Sequence, residues 1–117
     1  MRRGEIVIVA FPFATGGGGK NRPAVVVQCD RDNRRLSNTI IAMITGNTNY
    51  SQSEPAQLLV DPSTPDGKSS GLSYVSSVKC SNLYTIDQKH ILATIGQLSP
   101  SLTARLDVCL KAALGLS

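Results

Sequence analysis

Lys20-Asn21-Arg22-Pro23-Ala24-Val25-Val26-Val27-Gln28 is the stretch whose reading decides the fold. Its second part is an almost unbroken apolar run rich in valine, which predicts a strand over residues 23–29. Its first part sets an arginine at the mouth of that strand, where Pro23 fixes the backbone. Gly16 to Gly19 lie just before it and read as a mobile connection. A guanidinium stays charged at any biological pH and grips phosphate through two parallel N–H bonds. The stretch therefore predicts a phosphate-facing cation on a rigid β element.

Strands recur on both sides of it. Glu5-Ile6-Val7-Ile8-Val9-Ala10-Phe11 predicts a first strand. Thr39-Ile40-Ile41-Ala42-Met43-Ile44-Thr45 predicts a third, closed by Gly46-Asn47. Between the second and third, Asp30 to Arg35 reads as a polar connection with turn chemistry. Residues 46–55 form a long loop, and Gln57-Leu58-Leu59-Val60 a fourth strand. Asp61 to Gly71 reads as loop again. Tyr74 to Lys79 alternates, and Asn82 to Asp87 continues it past an irregularity near Cys80 that suggests a bulge. Ile91 to Leu98 fits helix or strand by period, with Gly96 favouring strand or turn.

The last element carries clear helix punctuation. Ser99 suits an N-cap, Pro100 the first helical position and Gly115 the C-terminal stop. Leu102, Leu106, Leu110 and Leu114, with Cys109 and Ala113, make one apolar face for packing on a barrel or a second subunit. The fold class is thus mainly β with short helices (α+β): a small, strongly curved antiparallel sheet or barrel with a C-terminal helix. At 117 residues the chain forms one domain, residues 1–117.

Composition narrows the function classes. Hydrophobic content of 41% and charged content of 17% favour a folded domain over disorder. A net charge of +4 suits a polyanionic partner, and Arg2, Arg3, Lys20, Arg22, Arg31, Arg34 and Arg35 all precede residue 36. The cysteines, Cys29, Cys80 and Cys109, are far apart and odd in number, as expected of reduced thiols in a cytoplasmic protein. With no Cys-x-x-Cys pair and only His90 as histidine, a zinc site is not expected, and no cofactor is implied. Arg2-Arg3 before the first apolar run imitates a short signal peptide, but Glu5 interrupts the run and Pro12 follows it. No run reaches membrane-spanning length. Gly19-Lys20 imitates a nucleotide-binding loop, but Asn21 stands where Ser or Thr is needed and a strand follows, so that reading is rejected.

Strands that begin at Arg22 and end at Thr45 can bring a guanidinium and a hydroxyl to one end of a barrel. Together such groups hold a phosphate while charge builds on it. Lys20, Asn21, Phe13, Asn47, Lys79 and Asn82 are further candidates for polar or stacking contact with a polyanionic partner. Aromatic content of 4% with no tryptophan means stacking cannot dominate.

An ordered set of motifs runs through nearly the whole chain. It comprises Arg3-Gly4-Glu5-Ile6-Val7, Lys20 to Gln28, Ile44-Thr45 and Ser77-Val78-Lys79-Cys80. Leu83-Tyr84-Thr85-Ile86-Asp87, Ile95-Gly96-Gln97-Leu98-Ser99 and the helix to Leu116 complete it. In this order the set resembles the MazF/PemK/Kid family of toxin endoribonucleases from toxin–antitoxin pairs. The resemblance implies an SH3-like barrel with added helices, a homodimer, and metal-independent cutting of single-stranded RNA at short sequences. It implies 2′,3′-cyclic phosphate and 5′-hydroxyl ends, with Arg22 and Thr45 as catalytic residues and Ser77 as an RNA contact. It also implies a cognate antitoxin that is acidic and partly disordered.

Departures accompany it. Tyr84 stands where many relatives carry arginine, no catalytic histidine or aspartate is found (His90 lies between Asp87 and Ile91), and the glycine loop is unusually bare. Two rival classes are a CcdB-like gyrase poison and a non-catalytic binding module on an SH3-like barrel. The first acts through a tryptophan-containing tail that Leu114-Gly115-Leu116-Ser117 does not provide. The Arg22 and Thr45 pair argues against the second.

Overall fold

The computed structural model describes residues 1–11 and 20–117, with the backbone alone for Phe11 and Lys20. Its elements, in chain order, are β1 (Glu5–Phe11), β2 (Lys20–Val26), α1 (Asp30–Arg35), β3 (Asn38–Thr45), β4 (Gln57–Val60), β5 (Ser76–Asp87), β6 (Ile91–Gln97) and α2 (Pro100–Leu114). Short 3-10 turns stand at Lys68–Ser70 and Gln88–His90. The six strands form one antiparallel sheet in the order β4-β5-β3-β2-β1-β6.

Both faces of the sheet are apolar near the middle. Ile6, Val25, Ala42, Ile44, Leu58, Val60, Val78 and Cys80 join Leu98, Leu102, Leu106 and Cys109 beneath α2. Val7, Val9, Ala24, Val26, Ile41 and Ile86 make a second cluster on the other face. Strand alternation produces this division, since odd and even positions point to opposite faces.

The sheet does not close by strand pairing: among the described residues β4 pairs only with β5 and β6 only with β1. The β4–β5 connection links the two sides instead. The Ser69 hydroxyl donates to the Gln97 carbonyl at 2.9 Å. Glycines permit this approach. A Cβ on Gly96 would lie 2.4 Å from the Ser69 and Ser70 carbonyl oxygens, and one on Gly71 would lie 2.0 Å from the Ile95 oxygen. The expected barrel is therefore a six-stranded sheet whose open sides are bridged by a loop.

Several boundaries differ from expectation. β2 runs from Lys20 to Val26 rather than from 23 to 29. It begins early because β1 pairs with it out to Phe11↔Lys20. It ends early because the Val27 and Gln28 N–H groups both turn to the Ile40 carbonyl, at 2.9 and 3.3 Å. The segment 30–35 is helix rather than turn. Its acids, Asp30 and Asp32, stand in the first turn and its bases, Arg34 and Arg35, in the last, which complements the helix dipole. Beneath it lies a buried polar network. The Gln28 side-chain amide donates to Asn33 Oδ1 at 3.0 Å, the Thr39 hydroxyl donates to the same oxygen at 2.7 Å, and Asn33 Nδ2 returns to the Gln28 carbonyl at 3.0 Å.

β5 is one long strand. The irregularity expected near Cys80 is a register shift: Lys79 pairs with Met43 but Leu83 pairs with Ala42. Residues 91–97 resolve as strand. α2 has the expected caps, with the Ser99 hydroxyl accepting the Leu102 N–H at 3.2 Å and Gly115 at φ 70°. Leu114 departs from the expected face and is 56% exposed. A strict four-residue step overshoots a 3.6-residue turn by about 40° each time, so the face continues through Cys109 and Ala113 instead.

Candidate functional site

Pro23 shapes the site. The Val26 carbonyl accepts from Gly4 on the β1 side, and the Val27 N–H bonds Ile40 of β3. Backbone direction alternates along a strand. The backbone of Pro23 therefore points at β3, where proline has no N–H to give. The β2–β3 ladder stops at Ala24↔Met43, while β2 continues along β1 through Val9↔Arg22. β3 also continues, along β5, to Thr45↔Ser77. Two strands that both run on but no longer pair leave a cleft between them.

That cleft is a cavity of about 260 Å³. Asn21, Arg22 and Pro23 line it from β2, Ile44, Thr45 and Gly46 from the end of β3, Ser76 from the start of β5 and Tyr74 from the loop before it. Carrying the Ala24↔Met43 register outward sets Arg22 opposite Thr45. Arg22 is exposed and, among the described residues, has no carboxylate partner; the ion pairs present are Arg3 with Asp107 and Arg35 with Asp32. Among the described residues no acid lines the cavity. A cation so placed is available to an external anion.

Thr45 is half-buried, and its Oγ1 accepts the Asn47 N–H at 3.2 Å. A hydroxyl has one proton to donate and two lone pairs. The turn occupies one lone pair and leaves the O–H free to point at an acceptor in the cleft. Asn47 is exposed just beyond, its own side-chain oxygen accepting the Asn49 N–H at 3.1 Å.

The other expected contact residues fall in different places. Ser77 is fully buried and donates to Gln57 Oε1 at 3.1 Å. Its neighbour Ser76 is the serine that lines the cavity. Lys79 is half-buried and pairs with Met43 and Gln57, which puts it on the sheet face of Ser77 and Thr45. Asn82 is exposed in the irregular part of β5. Phe13, the side chain of Lys20 and the Gly16–Gly19 loop lie outside the described residues. Tyr74 and Ser76 were not singled out from the sequence; an aromatic immediately before the Ser76-Ser77-Val78 strand was the available signal.

The basic residues of the first third do not converge. Arg31, Arg34 and Arg35 belong to α1, at the opposite end of β3 from Thr45. Arg3 is tied down by the Val27 carbonyl at 2.9 Å and Asp107 at 2.6 Å. His90 follows Asp87, which pairs with Asn38 at the far end of β3. Seven residue steps of about 3.3 Å put it roughly 20 Å from Thr45 within one chain. Among the described residues no group of His, Cys, Asp and Glu is arranged to hold a metal ion, and no helix is long and apolar enough to cross a membrane.

Comparison with known proteins agrees with this architecture. The pattern of the PemK-like, MazF-like toxins of type II toxin–antitoxin systems matches residues 2–114. The endoribonuclease MazF9 of Mycobacterium tuberculosis is 34% identical over 120 residues, covering 99% of this chain and 98% of its own. A probable endoribonuclease MazF of Mycolicibacterium smegmatis is 30% identical over 117 residues, covering 100% and 99%. Among solved structures, a mycobacterial endoribonuclease in complex with its cognate antitoxin superposes with a TM-score of 0.78 at 19% identity, covering 100% of this chain and 97% of that one.

Proposed function

The chain belongs to the PemK-like, MazF-like family of toxins of type II toxin–antitoxin systems, and from that premise we propose that it is an endoribonuclease that cuts single-stranded RNA without a metal ion and so blocks translation and growth. The observation that carries the reading is the cleft at the end of the β2–β3 ladder, where an arginine without a carboxylate partner and a threonine with a free O–H line one cavity.

The scissile phosphate sits in this cleft. The adjacent ribose 2′-hydroxyl attacks phosphorus, the P–O5′ bond breaks, and the products are a 2′,3′-cyclic phosphate and a 5′-hydroxyl. Negative charge grows on the non-bridging oxygens as the phosphorane forms. Arg22 neutralises it with paired N–H bonds, and the Thr45 O–H donates to one oxygen and fixes its position. The described residues of the cleft offer neither imidazole nor carboxylate, and the rate comes from in-line placement of the 2′-hydroxyl and charge stabilisation. Removing one such preorganised donor costs about 3 kcal/mol of transition-state stabilisation, roughly a hundredfold in rate. Asn21, Lys20, Asn47, Lys79, Asn82 and Phe13 contact the RNA around this centre, while the buried Ser77 supports the β4–β5 pairing through Gln57 and leaves the contact to Ser76.

The toxin works in the cytoplasm as a homodimer and is held inactive by a cognate antitoxin. An acidic, partly disordered antitoxin segment covers the groove, its carboxylates pairing with Arg22 in place of the RNA phosphate. Incubating the protein with a long defined RNA in EDTA and mapping the new 5′ ends tests the reading. Discrete cuts at a recurring short sequence, lost in Arg22→Ala, are expected. Equal cutting by both proteins would mark a contaminating nuclease and remove the support.

A further inference from the structure

We propose that the cavity walled by Tyr74, next to the Arg22–Thr45 cleft, is a subsite for the nucleobase beside the scissile phosphate, with the Tyr74 ring as its stacking face; this rests on the ribonuclease reading above.

Two spaces meet at this tyrosine. Tyr74 lines the cleft with Arg22 and Thr45, and it also lines a second cavity of about 190 Å³. Pro23 and Ser76 are shared by both, so a chain whose phosphate occupies the first has its adjoining nucleoside against the second. Ile8, Leu72 and Ile95 give the second cavity apolar walls, and Ser73 and Ser76 stand among them as polar groups within the lining. Apolar walls, one aromatic face and a few hydrogen-bonding groups suit a base that has left its stack.

Tyr74 is held rather than loosely displayed. Its ring rests on Gly46, the residue after Thr45: a Cβ there would lie 2.9 Å from the ring's Cε2. Gly46 is not among the glycines with positive φ. Its lack of a side chain therefore serves the ring's approach and not a special backbone shape. The segment leading to Tyr74 is seated on β6 by Gly71 and Gly96, and the Ser76 hydroxyl donates to the Tyr74 carbonyl at 2.9 Å. Despite these anchors the residue remains 62% exposed. A large aromatic fixed by its backbone and its edge, yet open to solvent beside the Arg22–Thr45 cleft, matches the stacking platforms of single-strand binders. A tyrosine that served only to cover Gly46 would have no reason to wall the second cavity.

The test uses short single-stranded 2′-O-methyl oligonucleotides of varied sequence, which lack the nucleophile and stay intact, with wild type, Tyr74→Phe, Tyr74→Ala and Gly46→Ala. Unfolding curves confirm that each variant folds. Tyr74→Ala is expected to weaken binding roughly five- to a hundredfold, the range of one lost base–aromatic stack. It should also flatten the base preference at a single position, while Tyr74→Phe keeps both. Gly46→Ala, which displaces the ring, should follow Tyr74→Ala. Unchanged affinity and ranking in Tyr74→Ala would overturn the subsite, as would no binding by wild type. A wild type that binds these strands but never cuts RNA would defeat the ribonuclease reading alone, and the Tyr74→Ala comparison would still decide the subsite.

Discussion

Arg22 and Thr45 fall opposite one another when the β2–β3 register is carried two steps past its last pair, Ala24↔Met43. Both line one cavity with no acid beside them among the described residues. Substitutions there should cost activity and not stability, because Arg22 is exposed and Thr45 lies at a strand end. Arg22→Ala and Thr45→Val should each lower kcat/KM about a hundredfold or more, as for loss of one preorganised donor. Arg22→Lys keeps the charge but loses the fork, and should recover only part. Thr45→Ser keeps the O–H and should recover most. Kinetics on a defined RNA beside thermal unfolding would check the pattern; a Tm drop matching the loss of activity would argue for a structural role.

Pro23→Ala tests why the cleft exists. The new N–H would point at β3 opposite Ile44 and could extend the ladder by one pair. One hydrogen bond gains about 1 kcal/mol, while losing proline's restriction of the unfolded chain costs about 0.4–1 kcal/mol. Stability should hardly move, but the cleft should narrow and activity fall. Hydrogen exchange would show protection at residue 23 together with the slower cutting. Full activity with that amide protected would contradict the account.

Gly96→Ala addresses the loop that bridges the open sides of the sheet. A Cβ 2.4 Å from two backbone oxygens cannot be accommodated by a side-chain rotation. The loop or β6 must shift, at a cost of about 1–3 kcal/mol or more, which lowers Tm by on the order of 10 °C. Activity should fall further than stability explains, because the same loop leads to Tyr74.

Alkaline stability should report on Cys80. Burial, with a smaller contribution from Cys109 beside it, pushes its thiol from 9.0 up to about 12. The native state keeps a proton that the unfolded chain releases. The associated stability is present below pH 9.0 and is lost as the pH rises toward about 12. Urea unfolding across this range should show a steeper decline for wild type than for Cys80→Ala, even though the variant starts lower from its lost packing. Parallel declines would count against it. Cys29, exposed, should label first with a thiol reagent under native conditions.

Much of this was legible in the sequence where local chemistry decides the outcome. β1, β4 and α2 occupy the residues that their alternation and caps indicate. The register shift in β5 lies beside Cys80, where the alternation breaks. The ends of β2 were not legible, because Phe11 at one end and Ile40 at the other fix them through pairing between distant residues. α1 was hidden because six polar residues read as turn, and nothing local reveals that Gln28, Asn33 and Thr39 are buried together beneath it. For the site, a strand start at Arg22 and a strand end at Thr45 are visible in the sequence, and the two residues line one cavity. Ser76 and Ser77 could not be told apart from sequence, since a one-residue choice of pleat decides which lines the cleft. For Tyr74 the sequence offers only an aromatic near a strand start, because its seat, Gly46, belongs to another strand end.

The most direct measurement is single-turnover cleavage, in EDTA, of a short RNA carrying the mapped cut site, against the same strand with one 2′-deoxy nucleotide immediately 5′ of the cut. The account predicts cutting of the first to a 2′,3′-cyclic phosphate and a 5′-hydroxyl, and none of the second at that site. Cleavage of the 2′-deoxy strand at the same position, or a requirement for a divalent metal ion, would contradict it.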